Sequence, residues 1–343
     1  MLLIKTRELI PFLKDYRLTK AHCTVIVDKH TKEIDYVVTD DLCVYQLHEE
    51  HSVEVEFDSD NDLVFAFQIP NVFNFALDDS CLTINTQVNT NMAQLFCDRP
   101  KFSSIIKLND NYSEKIKVST TEFISFKPYT DVLKAIKNIK SLASELSTSI
   151  SVELGNTFWT VSVSQCCIFG AASGIKGNIT SQLFERIYDW DAKVSQVSNT
   201  SILVRRDYRN GKYVLIHVPI TNHVELPNLV IDMVPRTGVE VTTELTSDVS
   251  SIIGEIIKNI KRDSINVIFK NGRLDLRYVD NTVSLTTEVE SVKAGDKIDI
   301  KVPIKSLVSI VNILDKPTKV TTNGEYVCMM RDNKGLLISG IIS

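Results

Sequence analysis

A unit repeated three times along the chain most constrains how it can fold. Each copy holds an amphipathic helix with a basic outer face, two or more strands, a second helix and then hairpin strands. The second helices carry the repeat. Residues 69–78 read IPNVFNFALD, 179–191 read ITSQLFERIYDWD, and 302–315 read VPIKSLVSIVNILD. Each opens on a β-branched residue, sets apolar side chains at helical spacing and stops at Asp. Copies this far apart are tandem domains, since solenoid units run only about 20–50 residues. The pattern predicts an α+β chain of three domains, 1–115, 116–232 and 233–343. The length agrees, because domains cluster at roughly 100–150 residues.

The first helices share one design. Over Thr6–Arg17, Leu9, Ile10, Leu13 and Tyr16 form an apolar face, and Arg7, Lys14 and Arg17 lie opposite. Pro11 inside this stretch predicts a late start or a kink. Over Tyr129–Leu142 the stripe is Val132, Leu133, Ile136 and Ile139, with Lys134, Lys137 and Asn138 on the other side. Over Ser247–Lys261 it is Val249, Ile252, Ile253, Ile256, Ile257 and Ile260, while Gly254, Lys258, Lys261 and Arg262 point away.

Strands are predicted at Cys23–Val27, Ile34–Thr39, Cys43–Leu47 and Val53–Phe57, then at Ile150–Leu154 and Trp159–Val163. The third copy supplies Ile265–Phe269, Leu274–Val279 and Val283–Val289. Asn210-Gly211, Asn271-Gly272 and Asn323-Gly324 each separate two β-rich runs. Asn-Gly tolerates the positive φ angles of a two-residue hairpin turn, so antiparallel sheet follows. Two junctions read as linkers: polar Asn109–Thr121, and Leu226–Gly238 around the apolar run Leu229-Val230-Ile231.

Composition excludes more than it selects. Twelve Gly argue against glycine-rich phosphate loops, and Gly170–Gly177 lacks the P-loop spacing, reading instead as a loop before a helix. Seven Cys, an odd number with no C-x-x-C, fit reduced thiols in a cytoplasmic compartment and no zinc framework. The N-terminus has no apolar secretion signal and no run reaches the ~18 apolar residues of a membrane span, so no membrane association is expected. The sequons at Asn111, Asn178 and Asn199 then read as chance matches. His48-Glu-Glu-His51 suggests a metal site at first, but it falls at a strand end, where positions three apart face opposite ways, and no further ligand is apparent, so it reads as a polar surface loop. Ser, His and Asp form no nucleophile motif, so no enzyme and no cofactor are expected.

The basic helix faces are the main functional signal. Net charge is −5, yet equivalent helices of tandem domains share one side, so their lysines and arginines add. Such a surface binds a polyanion through its backbone without reading sequence, and the absence of interleaved aromatics favours duplex DNA over single strands. A β-rich scaffold protein of duplicated domains explains the repeat without DNA. The apolar chain end, Gly335–Ser343, is either a core edge strand or part of a partner-peptide groove.

Three stretches resemble the DNA sliding clamps, the processivity factors of replicative polymerases, in their three-domain bacterial β form. Val38–Val44 looks like the strand-turn-strand after the first helix, Leu226–Pro235 like the connection between second and third domains, and Leu336–Ile342 like the closing strand. The resemblance implies antiparallel sheets outside and two helices per domain inside. It implies a homodimer ring around duplex DNA, with a replicative polymerase and a clamp loader as partners; a non-ring processivity factor is the alternative.

On that resemblance the DNA-facing residues are Arg7, Lys14, Arg17, Lys134, Lys137, Lys140, Arg186, Lys258, Lys261, Arg262 and Lys305. The peptide groove maps to Cys166, Cys167, Ile168, Met233, Pro235, Ile338, Gly340 and Ile341. The segment Ser164-Gln165-Cys166-Cys167-Ile168 replaces the family's Thr-Asp-Gly-His-Arg type, and the tail lacks its usual Pro and Arg. A divergent clamp, encoded by a phage with its own replication machinery and acting in the host cytoplasm, is the expectation.

Overall fold

Strands flanking the three Asn-Gly pairs all hydrogen-bond to each other in the structure, a computed structural model. It describes residues 2–18, 20–28, 30–50, 63–86, 91–118, 122–146, 149–155, 158–163, 166–171, 174–208, 211–221, 241–244, 251, 254–255, 259, 264–270, 273–278, 281–286, 289–290, 297–304, 319–322, 326–331 and 334–339. The described elements are antiparallel sheets with few helices, an α+β fold. No described helix is long and apolar enough to cross a membrane.

In chain order the first elements are β1 (Leu2–Thr6), α1 (Leu9–Asp15), β2 (His22–Val27), β3 (Ile34–Thr39), β4 (Val44–Glu49) and β5 (Leu63–Gln68). Then come β6 (Leu82–Thr86), β7 (Met92–Asp98), β8 (Lys101–Asn109), β9 (Ile124–Ser125), α2 (Thr130–Leu146), β10 (Ser151–Leu154), β11 (Phe158–Val163), β12 (Cys166–Ala171) and β13 (Gly177–Thr180). They are followed by α3 (Ser181–Ile187), β14 (Lys193–Ser198), β15 (Ser201–Asp207), β16 (Tyr213–Pro219), β17 (Val241–Glu244), β18 (Ser264–Lys270) and β19 (Arg273–Tyr278). The last are β20 (Asn281–Thr286), β21 (Val289–Glu290), β22 (Lys297–Pro303), β23 (Lys319–Thr322), β24 (Tyr326–Arg331) and β25 (Lys334–Ser339).

Two compact units result. The first comprises Met1–Lys127 with Arg186–Ile220, the second Pro128–Glu185 with Thr221–Ser343. The division runs through residues 116–232 for a definite reason. Strand β16 pairs with β4, from Tyr213↔His48 to His217↔Val44, and so carries β15, β14 and β9 into the first unit's sheet. That sheet runs β1-β6-β7-β8-β5-β2-β3-β4-β16-β15-β14-β9. The second unit holds β13-β10-β11-β12-β25-β24-β23-β17-β21 and a separate sheet, β20-β19-β18-β22.

The first helices of the first two copies form with corrected ends. In the first unit α1 starts at Leu9, because Thr6 Oγ1 accepts the backbone N–H groups of Glu8 (3.2 Å) and Leu9 (3.3 Å). Pro11 then falls in the first turn, where a missing N–H costs nothing and no kink is needed. Leu9, Ile10, Leu13 and Tyr16 are buried as the periodicity requires, joined by Phe12. The predicted second helix of this copy is instead a short 3-10 turn, Asn71–Phe75. With only five residues before Ala76 returns to extended backbone, there is too little chain for α-helical propagation.

In the second unit α2 runs longer than the periodicity predicted and packs on β11 and β12 through buried Val132, Ala135, Ile136 and Ile139. Leu133 is only half-buried. The segment Gly170–Gly177 is not one loop, since Gly170 ends in β12 and Gly177 opens β13. Gly170 sits directly across from Trp159, whose indole occupies the place a Cβ would take. The predicted helices at 247–261 and 302–315, strand Val53–Phe57, and linker Leu226–Gly238 lie largely or wholly outside the described residues.

Two polar segments differ from their sequence reading. The stretch Asn109–Thr121 is no free linker, for residues 110–118 strap the face of the first unit's sheet that carries Thr24, Asp35 and Gln46. Ser113 N–H donates to Thr24 Oγ1 (2.9 Å), Ile116 N–H donates to Gln46 Oε1 (2.7 Å), and Lys115 Nζ lies 2.6 Å from Asp35 Oδ2. Covered on both faces, β3 is buried along nearly its whole length. His48 is likewise no surface loop residue, being buried within β4 against Asp35; His51 lies outside the described residues.

Candidate nucleic-acid interface and partner groove

The cationic residues fall into two environments. In the first unit, Arg7 and Arg17 are exposed at the two ends of α1. Arg17 has φ +55°, a left-handed backbone usual for Gly. It follows the helix end, where Leu18 N–H reaches back to Leu13 O at 2.8 Å and Arg17 N–H to Lys14 O. Lys14 reaches the end of the 3-10 turn, at 2.8 Å from the exposed Asp78 Oδ1, and also donates to the Ala76 carbonyl.

Arg186 is the most committed of the set. Its Nη1 lies 2.7 Å from Asp40 Oδ2, and its Nε and Nη2 donate to the Tyr16 carbonyl. The guanidinium stands over the Tyr45 ring, and both charged side chains are 19% exposed. Asp40 is itself held by accepting the N–H groups of Leu42 and Cys43 in the β3–β4 turn. The residue therefore ties the end of α1 to that turn with its polar atoms turned inward.

The second unit is different. Lys134, Lys137 and Lys140 are exposed on α2, opposite the buried stripe. Lys134 lies 3.3 Å from Asp131 one turn back, and Lys140 lies 3.3 Å from Glu185 of α3. Lys137 has no ion pair among the described residues. Surface pairs of this kind contribute about 0–1 kcal/mol and yield readily to a stronger anion. Lys258, Lys261, Arg262 and Lys305 lie outside the described residues.

Sequence reading missed two polar residues beside α1, Lys20 and His22. Arg17, Lys20 and His22 line a concavity of about 620 Å³ with Thr39, Asp41, Asn111 and Tyr112. Lys20 sits in the α1–β2 connection and His22 opens β2, both outside any helical periodicity, so only their closeness to Arg17 in the chain hinted at a role.

Half of the groove prediction can be placed. Strands β12 and β25 pair antiparallel, bringing Cys166 opposite Ile338 and Ile168 opposite Leu336. Cys166 and Ile168 are buried, so they form the floor beneath any surface and not the surface itself. Cys167 is half-buried and packs with Phe158, Phe169, Cys328 and Met330. The Phe169 ring lies over Gly335, where a Cβ would come within 2.2 Å of it. Phe158 and Phe169 were not foreseen, since nothing local marks two strand aromatics as neighbours of the chain end. Burial pushes the Cys166 thiol up to about 12, which leaves it an inert apolar group. Every Cys is free. Met233, Pro235, Gly340 and Ile341 lie outside the described residues.

No protein-family model matches the sequence, and no curated protein matches it. Solved structures do. A DNA polymerase sliding clamp from Caulobacter crescentus superposes with a TM-score of 0.62 at 9% identity, over 100% of each chain. The DNA polymerase III β chain of Streptococcus pneumoniae gives 0.58 at 12% identity, again over 100% of each chain. A Helicobacter pylori β clamp bound to a DNA ligase peptide gives 0.60 at 12% identity, with the same coverage. End-to-end agreement at such low identity is agreement of topology, and the chain therefore has the fold of the bacterial DNA polymerase sliding clamps.

Proposed function

We propose that this chain is a DNA polymerase processivity factor, a non-enzymatic clamp of three domains (1–115, 116–232 and 233–343) that encircles duplex DNA. The observation that carries the reading is the full-length likeness to bacterial clamps, together with a lysine face on α2 that faces solvent. Lysines are point charges on flexible stems, and one phosphate resembles the next, so the pairings exchange and the protein slides. A closed ring keeps its polymerase on the template because it cannot leave without opening, which a separate loader would drive.

Ring closure by two copies finds support in the first unit's sheet. Strand β8 pairs with β7 along its length but with β5 only at Leu108 and Asn109. Among the described residues its remaining edge is unpaired, beside Ile105 (66% exposed) and Phe96. A free apolar edge invites another strand. Among the described residues, β20 and β22 end the second unit's small sheet, so either would offer a strand edge on a second copy. Partner proteins would dock an apolar peptide near Cys167, Phe158 and Phe169, as a ligase peptide docks on the Helicobacter clamp. The protein would act in the cytoplasm, in the host of a phage.

Reversing the charge at Lys134, Lys137, Lys258 and Lys261 together tests the DNA reading. Loading on nicked plasmid and polymerase stimulation should fall while the fold stays intact; undiminished activity rejects it. Ile105→Arg should turn a dimer into a monomer in sedimentation, and a wild type that is monomeric, with no hole in low-resolution images, favours a non-ring factor.

A further inference from the structure

The strapped face of the first unit's sheet holds a charge arrangement that DNA binding does not explain. Strands β3 and β4 pair with Ile34 opposite Glu49 and Asp35 opposite His48, so the next step of the register sets Glu33 opposite Glu50. Like charges directly across a sheet repel. Among the described residues neither glutamate has a Lys or Arg within ion-pair distance. His48 stands beside them, its Nε2 3.8 Å from Glu50 Oε1. One ligand atom from each of Glu33, His48 and Glu50 lies within 4.8 Å of the others.

His48 is built in as few surface histidines are. Its side chain is 8% exposed, and its ring stacks on Tyr213 at 4.5 Å with 20° between planes. Arg205 covers the Tyr213 ring in turn. On the other side Nδ1 is 2.8 Å from Asp35 Oδ1. Asp35 is fixed by the Gln46 amide (2.8 Å) and by Lys115 Nζ (2.6 Å), which also balances its charge. With Nδ1–H donated to Asp35, the Nε2 lone pair faces the two glutamates, and it has no hydrogen bond among the described residues. Carboxylates orient metal-binding imidazoles in this way. Gly211 completes the arrangement: a Cβ there would lie 2.1 Å from Glu50 Oε2, so any larger residue would displace that carboxylate.

We infer that Glu33, His48 and Glu50 bind one divalent cation of the zinc class, with Asp35 orienting the imidazole and solvent completing the coordination. One nitrogen and two carboxylates suit Zn²⁺ and Co²⁺, whereas Ca²⁺ and Mg²⁺ take all-oxygen sets. Ligands about 2.0–2.2 Å from such an ion stand within about 4 Å of each other, a distance small side-chain rotations reach from the present positions. Two glutamates neutralise the ion, and the ion removes their repulsion, clipping β3 to β4 at this end. The inference stands apart from the clamp reading, because none of these residues is placed at the DNA or peptide surface.

Chelator-treated full-length protein titrated with Zn²⁺, and separately with Co²⁺ while its visible spectrum is followed, tests the site. One equivalent should bind without a thiolate charge-transfer band, and Zn²⁺ should raise Tm. Glu33→Gln with Glu50→Gln should weaken binding at least tenfold, and Asp35→Asn roughly tenfold to a hundredfold. Glu33→Gln alone, at a half-exposed position, gives the same direction should the double variant not fold. Equal binding by wild type and variants, or a thiolate band pointing to the cysteines, overturns the inference. So does a wild type that takes up no metal, which would leave a proton on Nε2 as the counter-charge.

Discussion

Helix α1 and helix α2 carry similar basic residues, yet the protein uses them differently. Around α1, Lys14 is tied to Asp78 at the surface, and Arg186 turns its charge inward, to Asp40 and the Tyr16 carbonyl. Around α2, Lys134, Lys137 and Lys140 stand on the solvated side of a seventeen-residue helix whose other face is core. A short helix ending in an Arg with φ +55° needs side-chain ties to hold its end. A long helix packed along its stripe does not, and its lysines are left for a ligand. Equal charge on two helices thus does not mean equal freedom to bind.

The difference can be tested from its strong end. Arg186→Ala leaves Asp40 and the Tyr16 carbonyl without their partner and should cost about 2–3 kcal/mol, read as a lower denaturation midpoint at unchanged m. A negligible effect would dissolve the distinction between the two helices. Next, Lys134, Lys137 and Lys140 changed together to Ala should flatten the log–log salt dependence of DNA binding by about 0.9 for each phosphate the protein no longer neutralises. Unfolding should stay near that of the wild type.

Two smaller effects sharpen the comparison. Arg17→Gly should raise stability by about 1 kcal/mol by relieving the left-handed backbone, while weakening DNA binding. A more stable protein that binds DNA less well would mark a residue kept for its charge at a conformational cost. Lys137→Ala should change stability by less than about 0.5 kcal/mol, as expected of a solvated side chain.

Much of the local structure is legible in the residues themselves. The stripe Val132–Ile136–Ile139 announces α2, and Ile34–Thr39 is bounded to the residue, because side-chain period and turn chemistry are properties of adjacent positions. The 3-10 turn at Asn71–Phe75 reads as a helix in sequence, since a stripe over so few residues does not reveal whether a helix can propagate. The strap at 110–118 reads as a linker because its polar composition is that of a loop, and its anchors on Thr24, Asp35 and Gln46 are remote in sequence. In the groove, family resemblance groups Cys166, Ile168 and Ile338 as the paired strands do, but their depth below the surface is not readable from it.

Residue order by itself determined the hairpins and the two-faced helices α1 and α2, because each depends on neighbours a few positions apart. Only the tertiary structure decided that β16 would extend the sheet of β4, that β25 would lie beside β12, and that Arg186 would face inward while Lys137 faced water. Those outcomes depend on which distant surfaces desolvate one another. Burial of that kind is a property of the whole assembled sheet, and no short window of sequence contains it.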